Sequence, residues 1–487
     1  MIASQVIKAV KAIFTGDSLG EKVRRGSLFI LLSNMLNQTL SFARKVILAR
    51  ILVPVDFGLV GMAMIVVSGL QMLSNTGFRP ALIQKPDVDK SLLDTAWSSG
   101  IIRGGALCCM VFFSAPLMAR FFNNESAASI LRAMSVLPLM QGFQNIGTVY
   151  FDKELKFRQL LVYQQSMSIT ALVASLLCVL IWRNAWAIVA GSMAGEASAM
   201  VTSYLLHPYR PSWQVRWNDF RTLFGFGRSL LIIGVVTYIL DQGGNVLIGR
   251  LIGPAALGTY LLAYSTAILP MSAFADLVRR VTFPAYARIQ GDRARLQHAF
   301  LQSFKISMIL FVPISIGLFL VSDSFISLVY GPRWQNAVGP LKILCFLALF
   351  RANSYIIAPL LHGVGRPNLA AKARVIELIV FGASVYPMTQ RYGAVGVALT
   401  ITATYCIALL LRYYYLLKIL PSSLKPMTQI VLKVMLNSLG MIAAILLLRS
   451  FIHSMPALFV LVLVSAIVYF SITLMTDKRW FYNLAHQ

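Results

Sequence analysis

Long apolar stretches recur along the whole chain, and the short segments between them carry most of its charged residues. Each stretch is about 20 residues long, the length that an α-helix needs to cross a bilayer. A membrane β-barrel would require strands in which apolar and polar residues alternate, and these stretches do not alternate. The pattern predicts an all-α polytopic membrane protein with about 14 transmembrane helices. The predicted spans are residues 26–49, 55–77, 91–118, 126–150, 159–181, 185–206, 228–249, 255–277, 298–329, 336–361, 370–389, 393–417, 427–449 and 455–475.

The composition is that of a membrane protein, since 58% of the 487 residues are hydrophobic and only 12% are charged. In soluble domains about a quarter of the residues are charged, which excludes a large soluble enzyme. Residues 1–20 mix lysines with apolar residues, and we expect an amphipathic segment that lies on the membrane surface. The five cysteines and five histidines lack the spacing of a metal site, so no metal is expected.

The net charge of +26 follows the predicted topology. Every second hairpin is rich in lysine and arginine, beginning with Arg79, Lys85 and Lys90, whereas the opposite hairpins carry about one arginine each. Because positive residues stay in the cytoplasm, we predict that both termini are cytoplasmic. Topology explains most of the charge without a nucleic-acid partner. The basic hairpins could also attract anionic membrane lipids.

An arginine, a proline and a glycine recur with identical spacing 200 residues apart. Arg50, Pro54 and Gly58 stand in "LARILVPVDFG", and the copy at 248–258 reads "IGRLIGPAALG". The polar face of span 1 also recurs in span 7. Two parallel six-span halves are typical of transporters that alternate access to a site between the halves. The predicted organisation is an N-lobe (21–207), a cytoplasmic linker (208–224), a C-lobe (225–421), and spans 13 and 14 with a cytoplasmic tail (422–487).

Three segments resemble a known family, and they read "LARILVPVDFGLVGMA", "FDKELKFRQL" and "DQGGNVLIGRLIGPAALGTYLLAY". They look like the polysaccharide exporters of bacterial inner membranes, the O-antigen and colanic-acid-type flippases. Their superfamily, MOP, also holds the MATE multidrug exporters and the lipid II flippase. The resemblance covers about residues 20–420 and implies a V-shaped bundle of two six-helix lobes. It further implies that the protein flips undecaprenyl-pyrophosphate-linked oligosaccharide for capsule, exopolysaccharide or O-antigen export, driven by an ion gradient.

Cationic side chains within the spans are the candidates for substrate binding. A charge at bilayer depth costs at least about 2–3 kcal/mol, so it usually faces a water-filled cavity or a partner. A cationic cavity suits the diphosphate that the resemblance implies, because arginine binds phosphate oxygens in pairs and lysine adds a point charge. Snorkelling and pairing with Asp94, Glu196 or Glu377 are the alternatives. The candidates are the cations Arg103, Arg351, Lys305, Lys45, Arg44, Arg132 and Lys342 and the polar residues Asn34, Gln38 and Gln141.

Oxygen-bearing side chains of the second half are the candidates for ion coupling. Related lipid flippases and multidrug exporters place a sodium or proton site among an acid of span 7, acids or amides of span 11 and hydroxyls of span 12. By span, the resemblance gives these roles to Asp241, Glu377, Thr400 and Thr404. Hard cations favour such oxygen ligands. The alternative is that each acid pairs with an arginine. Na⁺ or H⁺ is the expected coupling ion, with no other cofactor.

Other functions stay open. A MATE-like multidrug exporter would share the architecture but should line its cavity with acids and aromatic residues, whereas cations predominate here. A membrane-embedded glycan polymerase or ligase would carry a large hydrophilic outer loop, and every predicted outer loop is short. A component of a glycan assembly complex, in contact with a polymerase or other assembly proteins, is the third possibility. No catalytic constellation is apparent in the sequence.

Overall fold

The computed structural model describes most of the chain. It covers residues 19–478 apart from 75–76, 86–87 and 155, with side chains from Ser33 onwards except at 222–233, 272–285 and 287. Most of the predicted interfacial segment (1–20) and the end of the predicted tail therefore lie outside the described residues.

The chain divides into two compact units, the first comprising 1–52 and 59–238 and the second 53–58 and 239–487. Both are built from α-helices, and helices α2 and α10 contribute to both units. The helices of the first half are α1 (Leu19–Ile51), α2 (Pro54–Leu73), α3 (Phe78–Gln84), α4 (Lys90–Phe121), α5 (Ser126–Met134), α6 (Val136–Gly142), α7 (Val149–Lys153), α8 (Phe157–Trp182) and α9 (Trp186–Leu206). Those of the second half are α10 (Trp217–Leu251), α11 (Pro254–Arg288), α12 (Arg293–Phe325), α13 (Val338–Gly363), α14 (Pro367–Ile419), α15 (Leu424–Leu448) and α16 (Met455–Thr476).

The predicted class of an all-helical, multi-pass membrane protein is confirmed. Helices occupy the predicted spans, and no strand occurs among the described residues. Eight helices in this part of the chain are long and apolar enough to cross a membrane. Large apolar side chains lie on the outer surface, among them Leu205, Ile181 and Leu447 with 78%, 75% and 74% of their surface exposed. Such exposure is expected where the neighbour is lipid and not water. The number of crossings stays a prediction.

Predicted span 4 is not one continuous helix. Helices α5, α6 and α7 follow one another there, interrupted at Ser135 and again at 143–148. Buried Asn145 accounts for the second interruption. Its side chain accepts a hydrogen bond from the N–H of Gly147 at 2.9 Å and donates one to the carbonyl of Tyr209 at 2.8 Å. A side chain that bonds the nearby backbone competes with helical hydrogen bonding.

Predicted spans 11 and 12 both lie within α14, which consists of two helices that join at Gly393. The φ of 60° and ψ of −138° at this residue are not helical. Glycine reaches positive φ without steric cost because it has no Cβ. Gly396 then lies against the backbone of the preceding helix, since a Cβ there would lie 1.9 Å from the carbonyl oxygen of Met388. The two glycines let the chain reverse within α14.

The repeated proline and glycine form a close helix crossing in the second unit. A Cβ on Gly58 would lie 1.8 Å from the carbonyl oxygen of Pro254, and a Cβ on Gly258 would lie 1.9 Å from that of Pro54. Each proline begins its helix, where the missing N–H is no loss. Each glycine, four residues later, therefore lies on the first turn of the other helix. The recurrence of this motif has a packing reason, because the contact needs a glycine from both copies.

Replacing either glycine should disrupt this crossing. We expect Gly258→Ala to destabilise the protein by about 1–3 kcal/mol, because the new methyl group meets backbone that cannot rotate away. Gly105→Ala on α4 is the matched control, since a Cβ at Gly105 has nothing within 4 Å. Thermal denaturation in detergent, followed by the monodisperse fraction on size-exclusion chromatography, checks this. Equal melting temperatures for the two variants would contradict the close approach.

Candidate functional site

Arg351 on α13 is the centre of a polar network in the second unit. Its Nη2 forms an ion pair with Oδ1 of Asp241 on α10 at 3.1 Å, and its Nη1 donates a hydrogen bond to the hydroxyl of Tyr264 on α11. The guanidinium also lies over the ring of Tyr405 on α14, 5.0 Å from its centroid. The side chains of Arg351 and Asp241 are 11% and 28% exposed, so the carboxylate is the more accessible member of a largely buried pair.

Glu377 on α14 is held between two arginines and has no exposed side-chain surface. Its Oε1 accepts a hydrogen bond from Arg412 at 2.6 Å, and its Oε2 accepts one from Arg374 at 2.7 Å. Arg412 is itself only 5% exposed and donates a second hydrogen bond to Ser354 on α13 at 3.0 Å. These charge-assisted hydrogen bonds offset the desolvation of the carboxylate. Glu377 therefore joins the two halves of α14 and, through Arg412, α13.

Tyr405 connects the two groups of charges, because its ring lies against Arg351 and its side chain also interacts with Arg374. We call the charged members the second-unit ion cluster, and they are Asp241, Arg351, Arg374, Glu377 and Arg412. Three arginines face two carboxylates, which leaves one positive charge in excess. Where water is largely excluded, such an excess favours an anionic ligand, because the Coulomb energy rises as the effective dielectric constant falls.

Both acids that the resemblance assigns to ion coupling are thus engaged by arginines, which is the alternative that the sequence left open. Thr400 and Thr404 are buried on α14, and neither hydroxyl has a hydrogen-bond partner among the described residues. In the part of the chain that the structure describes, no group of three His, Cys, Asp or Glu side chains could hold a metal ion. Both oxygens of Glu377 and Oδ1 of Asp241 already bond arginines, so a cation at these atoms would compete with an arginine. Ion coupling at these residues stays a prediction.

Gln141 belongs to a separate polar cluster in the first unit, centred on Glu196 of α9. Gln141 and Gln144 donate hydrogen bonds to the two carboxylate oxygens at 2.9 and 3.0 Å. The amide oxygens of these glutamines accept hydrogen bonds from Gln71 at 2.8 Å and Tyr163 at 2.7 Å. Glu196 is 8% exposed, and no lysine or arginine with a described side chain forms an ion pair with it. Neutral donors alone hold this buried acid.

Arg44 and Arg103 are half-buried cations of the first unit whose described partners are neutral. Arg44 on α1 donates to the carbonyl of Ile188 at 3.1 Å and to the hydroxyl of Ser192 at 3.3 Å. Arg103 on α4 donates a long hydrogen bond of 3.4 Å to the carbonyl of Ser74, and its buried Nε has no partner in the described part of the chain. No acidic side chain in the described part of the chain pairs with either arginine, and both are suited to bind an anion.

The remaining candidates of the first unit have different surroundings. Lys45 on α1 is half-buried and has no ion-pair partner among the residues with described side chains. Arg132 on α5 is exposed and lies over the ring of Phe112, 5.6 Å from its centroid. Asn34 and Gln38 lie half-buried on α1, and each has an interaction partner. The structure brings none of these four residues into the Glu196 cluster.

Lys305 and Lys342 form ion pairs away from the second-unit ion cluster. Lys305 on α12 bonds Asp477, just after α16, at 3.0 Å, and Lys433 on α15 bonds the same oxygen at 2.7 Å. Burial disfavours the charged carboxylate, but the hydrogen bonds from Lys433 and Lys305 outweigh this effect and hold the pKa of Asp477 below its ordinary value. Lys342 on α13 pairs with Asp323 on α12 at 2.7 Å. Lys305 thus fastens the last two helices to α12.

Residues 47–339, more than half of the chain, match the sequence profile of a family described as polysaccharide biosynthesis protein. The chain belongs to this family. The lipopolysaccharide biosynthesis protein WzxC of Escherichia coli K12 is 26% identical over 411 residues, 82% of each chain. The teichuronic acid biosynthesis protein TuaB of Bacillus subtilis is 26% identical over 69% of each chain. The succinoglycan biosynthesis transport protein ExoT of Rhizobium meliloti is 26% identical over 67% of this chain and 66% of its own. The predicted resemblance to polysaccharide exporters is confirmed.

Solved structures show which fold this polysaccharide biosynthesis family member has. The lipid II flippase MurJ in its inward closed conformation matches with a TM-score of 0.72 over 93% of this chain and 99% of its own, at 14% identity. An inward-facing MATE multidrug resistance transporter of the MOP superfamily matches with a TM-score of 0.55 over 81% and 94%, at 15% identity. At such low identity the likeness shows the fold alone, and it confirms the predicted MATE-like helical fold.

Two arginines of the second-unit ion cluster, Arg374 and Arg412, were not among the predicted site residues. Arg412 stands in the apolar run "CIALLLRYYYLL", where the criterion that selected Arg351 would also have found it. Arg374 lies near the start of predicted span 11, close to the basic residues Arg366 and Lys372, and positive charge at the end of a span is typical of a topology signal. The pairing of Arg351 with Asp241 had no signal in the sequence, because 110 residues separate them and the rotation of each helix decides whether they meet.

The Glu377–Arg412 pair should matter more for stability than a surface pair. We expect Arg412→Ala to destabilise the protein by about 3–5 kcal/mol, because it leaves a buried carboxylate with one partner fewer. Arg295→Ala is the matched control. It removes a pair with Asp292 whose side chains are 79% and 47% exposed, and such pairs contribute only about 0–1 kcal/mol.

Thermal denaturation in detergent measures both variants. The double variant Arg412→Met with Glu377→Gln should recover part of the lost stability, because no unpaired charge then remains buried. A melting temperature for Arg412→Ala equal to that of Arg295→Ala would show that Glu377 does not depend on this partner.

Proposed function

We propose that this protein is an alternating-access flippase for undecaprenyl-pyrophosphate-linked oligosaccharide repeat units. It moves them from the cytoplasmic to the periplasmic leaflet for export as capsule, exopolysaccharide or O-antigen. Membership of the polysaccharide biosynthesis family and the fold shared with the lipid II flippase MurJ support this proposal. The relative ExoT is named a transport protein, which supports transport of a glycan and not its synthesis.

The observation that carries the proposal is the excess positive charge of the second-unit ion cluster. A guanidinium has five N–H donors, and the hydrogen bonds of Arg351 to Tyr264 and Asp241 engage two of its nitrogens. The remaining donors can bind phosphate oxygens of a diphosphate. Asp241 is the more exposed member of its pair with Arg351. An anionic group of the substrate would compete with the Asp241 carboxylate for the guanidinium of Arg351. Arg44 and Arg103 in the first unit add two cations whose partners among the described residues are neutral.

A multidrug exporter that binds organic cations is the second candidate. Glu196 favours it, because this buried carboxylate has only neutral donors and could attract a cation. The second-unit ion cluster weighs against it, since arginines already neutralise Asp241 and Glu377. The balance of buried charges therefore favours an anionic substrate.

We place the protein in the bacterial inner membrane with both termini in the cytoplasm. The basic residues of alternate hairpins support this orientation, because positive residues are retained in the cytoplasm.

The proposed energy source is the movement of Na⁺ or H⁺ down its gradient in exchange for the substrate. Asp241→Asn tests that role, since it removes the titratable oxygen while Arg351 remains. Export that continues at the wild-type rate would remove Asp241 from the coupling mechanism.

Loss of Arg351 should strongly reduce glycan export. We expect Arg351→Ala to lower export about tenfold or more, because a hydrogen bond to a charged group contributes about 1.5–3 kcal/mol. Arg351→Lys should be partly active if charge alone matters. The measurement is surface glycan in a deletion strain that carries each variant, together with lipid-linked repeat units that accumulate on the cytoplasmic leaflet.

Arg391→Ala is the control, because Arg391 is exposed and lies over the ring of Tyr392, 5.7 Å from its centroid, outside the second-unit ion cluster. Membrane insertion of every variant is verified by immunoblot. Wild-type export by Arg351→Ala would remove this arginine from the site. A deletion strain that keeps its glycan but becomes sensitive to cationic drugs would reject the flippase and favour the multidrug exporter.

A further inference from the structure

The segment between α9 and α10 is attached along its length to the first unit. We call residues 207–216 the strap. It is shorter than the predicted linker, because α10 already begins at Trp217. Its backbone N–H groups at Ser212, Gln214 and Arg216 donate hydrogen bonds at 2.9, 3.0 and 3.2 Å to side chains of α4. The acceptors are Asp94, Ser98 and Thr95.

Both ends of the strap are fixed as well. The ring of His207 stacks on Tyr150, with centroids 5.5 Å apart and planes inclined by 5°. The hydroxyl of Tyr209 donates a hydrogen bond to buried Asp94. Just beyond the strap, Ser91 on α4 donates to Asp219 at 2.8 Å. The strap is therefore a fixed surface of the first unit and not a free tether.

The strap and the first residue of α10 turn large apolar side chains outward. Trp213, Val215 and Trp217, at every second position, are 64%, 46% and 71% exposed. The N–H groups that hold the strap belong to the residues at the intervening positions, so the backbone cannot rotate to bury these side chains without losing its hydrogen bonds. Two exposed tryptophans beside the ends of membrane helices match the preference of indole for the interface between apolar chains and polar headgroups.

Positive charge surrounds the apolar side chains. Arg210, Arg216 and Arg221 are exposed, and Asp219, which already accepts a hydrogen bond from Ser91, is the one acid in residues 207–221. The strap joins α9 to α10, the helices that occupy predicted spans 6 and 7, and the predicted topology places it at the edge of the apolar layer. Lipid phosphates lie at the same depth. Apolar groups and arginines in one short segment complement a lipid that has both acyl chains and an anionic headgroup.

We infer that the strap is a binding surface for anionic phospholipids of the adjacent leaflet, with Trp213, Val215 and Trp217 against the lipid and the exposed arginines on its phosphate. Arginine suits this role because its planar guanidinium can bond two phosphate oxygens at once. Asp94 is the positioning residue, since it holds Tyr209 and Ser212 and so sets the depth of the strap. The inference does not depend on which substrate the protein transports.

The first test measures the affinity of the purified full-length protein for fluorescent phosphatidylglycerol in detergent micelles. Arg216→Gln with Arg221→Gln should weaken binding by about thirtyfold, since each of the two basic residues near an anionic surface adds about 1 kcal/mol of attraction. Arg210 is left intact because it also donates to the carbonyls of His207 and Tyr209 at 2.8 and 3.1 Å. Inorganic phosphate should not displace the lipid.

The matched control removes the same charge from another exposed hairpin. Arg288→Gln with Arg293→Gln, at the junction of α11 and α12, should retain nearly the wild-type affinity. Equal loss of affinity in the two double variants would mean that only net charge matters, and the inference would be wrong. Unchanged affinity in Arg216→Gln with Arg221→Gln would overturn it as well.

A second test locates the tryptophans without changing any charge. In vesicles of phosphatidylcholine and phosphatidylglycerol with brominated chains, the wild-type protein should lose more tryptophan emission than Trp213→Phe with Trp217→Phe. If aqueous iodide instead quenches this additional emission and brominated lipid does not, the two side chains face water. The strap would then be open to a protein partner, and the lipid-binding inference would fall.

Discussion

A charge that cannot reach water must find a partner, and this constraint governs the interior of the second unit. Glu377 has no exposed surface, yet it is held by Arg374 and Arg412 at hydrogen-bonding distances of 2.7 and 2.6 Å. The paired oxygens fix how the two halves of α14 and α13 are rotated about their axes. In the same way, the ion pair between Arg351 and Asp241 links α13 to α10. Packing of apolar side chains could occur in several rotations of a helix, whereas these pairs form in only one.

The two units satisfy their buried acids by different means. Arginines hold Asp241 and Glu377 in the second unit, while the described partners of Glu196 in the first unit are amides. The second unit thus contains a region of excess positive charge, whereas Glu196 in the first unit has no counter-charge among the described side chains. An anion and a cation favour opposite environments, and the two units provide one of each.

The length and apolar character of the spans were sufficient to predict the helical membrane class, because lipid leaves the backbone few other ways to bond its polar groups. The recurrence of Pro54 and Gly58 200 residues later also indicated two related halves, although only the structure showed that the two copies of the motif touch. The partners of the charges were not predictable. Lys305 was expected in a substrate cavity but bonds Asp477, since periodicity gives the polar face of one helix and not the neighbour that covers it.

The bond between Lys305 and Asp477 has a consequence for biosynthesis. Helix α12 enters the membrane long before the ribosome reaches Asp477, so Lys305 remains without this counter-charge while the intervening helices are made. The second unit can therefore complete its ionic contacts only when the last helices, α15 and α16, have been inserted. A nascent chain that stops before Asp477 therefore keeps an α12 surface without this ionic contact.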